Sequence, residues 1–175
     1  MNRDDLARTI QDRCRLTGEF VLRSGQVSNI YFDKYQFEAD PVLLKSVADL
    51  LAPFVPEGTE LLAGLELGGV PVATALSLGV GIPQVLVRKQ AKTYGTAKLA
   101  EGPDISGKRL LVVEDVITTG GQVVASTQDL RALGAEVSTV LCVIDRRHDP
   151  AAADKLSAAG LEVISLFTAA DLGGS

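Results

Sequence analysis

At 175 residues, with 46% hydrophobic and 22% charged side chains, the chain has the size and balance of one globular domain that needs neither a disulfide nor a metal to fold. A formal net charge of −5 argues against a general nucleic-acid binder, which would carry a basic face. No apolar run approaches the roughly 20 residues of a membrane span, and Met1-Asn2-Arg3-Asp4-Asp5 lacks the pattern of a signal peptide, so a cytoplasmic protein with no membrane partner is expected.

Leu6, Ile10 and Cys14 recur at helical spacing, which predicts an amphipathic helix over residues 4–16, ended by Gly18. Residues 20–25 and 28–33 are rich in β-branched and aromatic side chains around Ser24-Gly25 and predict two short strands about a turn. A helix follows over 41–54 with Pro41 at its start. Beyond it the pattern alternates: strand 60–64, helix 70–78, strand 83–87, strand 110–113, helix 122–133 closed by Gly134, strand 136–144, helix 151–158 and strand 161–167. Short apolar strands alternating with helices imply an α/β fold with a central, mostly parallel sheet flanked by helices. Residues 88–107 interrupt the alternation, being polar and without apolar period; a connection of that length is usually a functional lid. Cys14 and Cys142 read as free buried thiols rather than a pair.

The strongest local signal is Val112-Val113-Glu114-Asp115-Val116-Ile117-Thr118-Thr119-Gly120-Gly121, an apolar strand running into an acidic turn, two hydroxyls, two glycines and a helix. Ligands of parallel sheets bind beyond the carboxyl ends of strands. A turn of small residues feeding a helix N-terminus suits a phosphate there. The acids would repel a phosphate, so they face sugar hydroxyls or a metal, and the combination points to a sugar phosphate. Gly64-Leu65-Glu66-Leu67-Gly68-Gly69-Val70-Pro71 is a second glycine-rich turn between strand and helix, suited to a second anion. Arg88, Lys89 and Lys92 put three cations within five residues of the long polar segment, where a closing loop would neutralise a leaving diphosphate and exclude water.

These stretches together resemble the type I phosphoribosyltransferases and, within them, the orotate-specific branch. The narrower resemblance rests on Phe20-Val21-Leu22-Arg23-Ser24-Gly25 with Ser28 and Tyr31-Phe32-Asp33, on Arg88-Lys89 with Lys92, and on Asp145-Arg146 after a strand. It implies one phosphoribosyltransferase domain over 1–175, with a small N-terminal hood from about residue 1 to 40 and a flexible catalytic loop at about 88–107. By the same resemblance, Glu114 and Asp115 hold the ribose hydroxyls, and Val116, Ile117, Thr118, Thr119, Gly120, Gly121 and Gln122 wrap the 5-phosphate. Gly68 and Gly69 meet the diphosphate, Arg88, Lys89, Lys92 and Tyr94 engage phosphates, and Lys92 assists the leaving group. Thr118, Arg146, Arg23, Tyr31 and Phe32 contact orotate. Mg²⁺ is implied as cofactor, bound through substrate oxygens and water rather than side chains. A homodimer that shares the loop between subunits is implied as well. Tyr94 stands where many relatives carry a histidine, and His148 reads as a surface residue. Two alternatives share the cradle: a purine phosphoribosyltransferase, and a non-catalytic sensor of phosphoribosyl diphosphate. The N-terminal segment and Arg146 argue against the first, and the acidic single domain against the second.

Overall fold

Asn2 starts the first helix, α1 (Arg3–Cys14), by accepting the Asp5 N–H at 2.8 Å, and Asp4 and Asp5 complement the dipole of its first turn. In this computed structural model, residues 1–21, 25–91, 98–147 and 149–173 are described. The helix ends at Cys14 rather than at Gly18. Arg15 turns to extended backbone and opens strand β1 (Arg15–Val21), which pairs antiparallel with β2 (Val27–Phe32). Gly18 lies inside β1, where the register shifts between Thr17 and Phe20, so it marks a bulge and not a helix stop.

A short helix that the periodicity did not predict, α2 (Tyr35–Glu38), buries Phe37. It leads to α3 (Pro41–Leu51), which Asp40 caps through the Val42 and Leu43 N–H groups. The chain then builds β3 (Leu61–Leu65), α4 (Gly69–Val80), β4 (Gln84–Val87), β5 (Ala100–Glu101), β6 (Arg109–Ile117), α5 (Gly121–Ala132), β7 (Glu136–Asp145), α6 (Pro150–Ala158) and β8 (Glu162–Thr168). The sheet order is β5-β4-β3-β6-β7-β8, parallel except for the edge pair β4–β5. Side chains alternate between two helix layers. Leu62, Leu111, Val113, Leu141 and Val143 pack with α1, α3 and α4; Ala63, Val112, Val140 and Cys142 pack with α5 and α6. With both faces covered, the central stretches of the inner strands, residues 61–65, 110–113 and 140–144, are apolar, as buried parallel strands are.

Two predicted boundaries fall differently. The supposed acidic turn after Val113 is strand: β6 continues to Ile117, with Glu114 opposite Cys142 and Ile117 opposite Asp145. Acids are poor strand formers, but pairing with β7 overrides that preference. The polar segment 88–107 is also not all loop. Its end carries β5, which pairs with β4, and Ile105 is buried. Residues 92–97 lie outside the described part.

Candidate active site

The chain leaves β3 to form β4 on one side and later returns to place β6 on the other. The carboxyl ends of β3 and β6 therefore flank a topological switch point, where open α/β sheets bind ligands. Both glycine-rich turns lie there. Helices α1, α3 and α6 are capped by the side chains of Asn2, Asp40 and Asp149, whereas α4 and α5 begin at Gly68 and Gly120 with no side-chain cap. Among the described residues no side chain caps the first N–H groups of these two helices, and that suits them to anions. Gly120 is held at φ 70°, and a Cβ there would come within 2.9 Å of Leu156 Cδ1, so glycine is required by conformation and by space. Thr118 and Thr119 are exposed beside it.

Glu114 and Asp115 are 8% and 1% exposed, far more enclosed than residues of a solvated turn. The Asp115 carboxylate accepts the Val116 N–H at 2.6 Å and is ion-paired with Lys34, which stands at the start of α2. The Gly68 turn rests directly on it: a Cβ at Gly68 would overlap Asp115 Oδ2 and lie 2.7 Å from Glu38 Oε1. The two turns and the acid pair thus form one contiguous surface. Burial, then the neighbouring Asp115, pushes Glu38 up to about 8. Glu114 is raised well above the usual range for the same two reasons. Burial would raise Asp115 too, but the neighbouring Glu114 and Glu38 carboxyls and the Lys34 ammonium outweigh it, and Asp115 is held below its ordinary value. Lys34 is the counter-ion of Asp115. Lys34 and Glu38 were not singled out by sequence reasoning, since neither lies in a glycine-rich turn or a charge run.

On the other side of β6, a cavity of ≈ 640 Å³ is lined by Ser28, Tyr31, Phe32, Thr118, Thr119 and Arg146, among others. The Arg146 guanidinium lies 5.3 Å from the Phe32 ring centroid, within cation–π range, and the Phe20 and Tyr31 rings lie 5.5 Å apart, tilted by 32°. The acid of the Asp145-Arg146 dipeptide pairs with the next residue instead: Arg147 Nε donates to both Asp145 oxygens at 2.9 and 3.1 Å. That pairing occupies Asp145, while Arg146 lines the cavity. Gly68, Gly69, Glu114, Asp115, residues 116–122, Tyr31, Phe32 and Arg146 are thus brought to one end of the sheet.

Arg88 and Lys89 follow β4 at the same end, but Arg88 Nε is hydrogen-bonded to Glu101 of β5 at 3.2 Å, and the Lys89 N–H donates to Glu66 at 3.0 Å. Arg23, Lys92, Tyr94 and His148 lie outside the described residues. Cys14 and Cys142 are buried free thiols, as expected, and burial pushes Cys14 up to about 12 and raises Cys142 as well. No helix among the described residues is long and apolar enough to cross a membrane.

The phosphoribosyl transferase domain model matches residues 36–170, a span that holds both uncapped helix starts and the buried acids, and the chain is of the phosphoribosyltransferase class. An orotate phosphoribosyltransferase from a Nocardioides species is 57% identical over 167 residues, covering 95% of this chain and 92% of the relative. Crystal structures of orotate phosphoribosyltransferase from Mycobacterium tuberculosis superpose with TM-scores of 0.86 (Fe(III) dicitrate complex, 32% identity) and 0.81 (5-phospho-alpha-D-ribosyl 1-diphosphate complex, 31% identity), each covering 98% of both chains. The chain belongs to the orotate phosphoribosyltransferase family.

Proposed function

We propose that this chain transfers the 5-phosphoribosyl group of 5-phospho-α-D-ribose 1-diphosphate to orotate, giving orotidine 5′-monophosphate and diphosphate, a step of pyrimidine (UMP) biosynthesis. The observation that carries the reading is the cavity in which Arg146, Phe32 and Tyr31 stand beside Thr118 at the edge of the α5 cradle. A guanidinium fork matches a planar carboxylate. Orotate offers one; adenine and hypoxanthine do not.

As the diphosphate leaves, C1 gains oxocarbenium character, so catalysis consists of positioning and charge stabilisation. The N–H groups of Gly121 and Gln122, with Thr118, Thr119, Val116, Ile117 and Gly120 around them, hold the 5-phosphate. Gly68 and Gly69 receive the diphosphate, and Glu114 and Asp115 engage the ribose hydroxyls. Arg88, Lys89, Lys92 and Tyr94 neutralise the departing diphosphate, with Lys92 assisting its departure, while Arg23 joins Arg146, Tyr31, Phe32 and Thr118 around orotate. When bound, Mg²⁺ supplies charge neutralisation at the diphosphate and ribose oxygens. The site suits an ion held by substrate and water: Asp115 is already ion-paired with Lys34, and no side chain is assigned as a ligand. A cytoplasmic homodimer sharing its loop between subunits completes the reading.

The test is turnover of orotate, adenine and hypoxanthine by the purified protein with phosphoribosyl diphosphate, with and without Mg²⁺. Mg²⁺-dependent consumption of orotate that falls about 100-fold or more in Lys92→Ala is expected. Turnover of a purine without orotate would keep the cradle and remove the base assignment. No turnover of any base would leave a phosphoribosyl diphosphate sensor.

A further inference from the structure

Glu38, Glu114 and Asp115 bring three buried carboxyls to one corner of the site, at 7%, 8% and 1% exposure. Such a cluster is unfavourable unless it is compensated, because buried like charges disfavour one another's ionised forms. The compensation comes from the hood. Lys34 lies two residues beyond Phe32, whose ring faces Arg146 in the base cavity, and its ammonium is ion-paired with Asp115 on β6. Glu38, one helical turn further along, has its Oε1 buried without a hydrogen-bond partner among the described residues. That oxygen and Asp115 Oδ2 both crowd the point where a Gly68 Cβ would be. A proton on Glu38 turns this approach into a hydrogen bond to Asp115, in keeping with its elevated affinity for protons. One segment of the chain, residues 31–38, thus carries both the rings that line the base cavity and the groups that fix the carboxylate under the diphosphate turn.

We propose that Lys34 is a positioning residue. Its ammonium fixes the Asp115 carboxylate beneath the Gly68 turn, and through that carboxylate it sets the spacing between the diphosphate turn and the ribose acids. The inference rests on the assignment of the Gly68 turn and the acid pair to phosphoribosyl diphosphate. Lys34 acts through Asp115 and not on substrate, which separates it from the loop cations.

The experiment is a double-mutant cycle with Lys34→Met, Asp115→Asn and the pair, alongside Lys34→Arg. It reads calorimetric binding of phosphoribosyl diphosphate with Mg²⁺ and the separate KM and kcat values. Lys34→Met is expected to weaken phosphoribosyl diphosphate binding and raise its KM by roughly 10- to 100-fold, the scale of a small misplacement in a preorganised site, while kcat at saturation changes less. Lys34→Arg should retain more affinity than Lys34→Met. In the Asp115→Asn background, Lys34→Met should have no further effect. If Lys34→Met does not fold, the comparison of Asp115→Asn with the double variant, in which both charges are gone, still decides. Equal weakening in both backgrounds would place Lys34 against the substrate and overturn the proposal, as would unchanged affinity in Lys34→Met. Wild-type protein that fails to bind phosphoribosyl diphosphate would instead overturn the functional assignment on which the inference rests.

Discussion

Replacing Gly68 by alanine sets two physical effects against each other. The backbone at Gly68 has φ −72° and ψ −27°, a conformation any residue adopts. On backbone grounds alone, alanine would stabilise by about 0.4–1 kcal/mol, because it restricts the unfolded chain. The added Cβ, however, would overlap Asp115 Oδ2 and lie 2.7 Å from Glu38 Oε1. Asp115 cannot swing away, since it is 1% exposed, accepts the Val116 N–H and is ion-paired with Lys34. Inserting a methyl into a closed site costs about 1–3 kcal/mol, and displacing a buried carboxylate from its counter-ion adds to that. A net loss of about 2 kcal/mol is expected, or roughly 4–8 °C in the unfolding midpoint of a chain this long. Gly79→Ala on the same helix is the control. Nothing lies within 4 Å of a Cβ there, so a gain of about 0.4–1 kcal/mol is expected. Thermal unfolding and calorimetric binding of phosphoribosyl diphosphate read both variants. Should Gly68→Ala match Gly79→Ala in stability and the wild type in affinity, the contiguity of turn and acid pair argued above is wrong.

Arg147→Ala should raise the KM for orotate by roughly 10-fold or more, the scale of one charge-assisted hydrogen bond, because Asp145 loses its partner and competes for Arg146. Burial would raise Asp145, but hydrogen bonds from Arg147 outweigh it and hold the carboxyl below its ordinary value. The stabilisation from this pair is in place above the usual aspartate range and is lost as pH falls through the lowered value, so the wild type and Arg147→Ala should converge in stability at acid pH. Glu38 has the opposite sign. Its folded value of about 8 exceeds the ordinary 4.5, through burial first and then Asp115, with Lys34 opposing and Asp33 adding to the rise. This group alone should therefore lower stability as pH rises through that interval, by at most about 1.4 kcal/mol per pH unit, with Glu114 acting in the same direction. Glu38→Gln, which keeps an N–H donor toward Asp115, should reduce that slope in urea titrations across the range without abolishing it, since Glu114 is unchanged, and an undiminished slope would contradict the assignment.

Much of the architecture is legible in local pattern. The apolar runs at 61–65, 110–113 and 140–144 can be buried only on both faces, which requires a parallel sheet between helix layers. Thr118-Thr119-Gly120-Gly121 and Gly68-Gly69 announce anion cradles because only small residues bring backbone N–H groups close to a ligand. Arg146 stands out as a planar cation just beyond a strand. Local pattern misled where a nonlocal partner decided. Glu114 and Asp115 read as a turn because acids disfavour strands, yet the ladder to β7 holds them extended. Gly18 reads as a helix stop, yet it occupies a hairpin irregularity. Lys34 and Glu38 carry no periodic or motif signal. Their importance arises when α2 is laid against the end of β6, where burial turns an ordinary lysine and three ordinary acids into one compensated cluster. Composition, period and turn chemistry thus determined most of the elements and where the two glycine-rich helix starts lie. Which charges face one another was decided only by tertiary packing, because electrostatic coupling depends on distance and on exclusion of water, and neither is written in the order of residues along the chain.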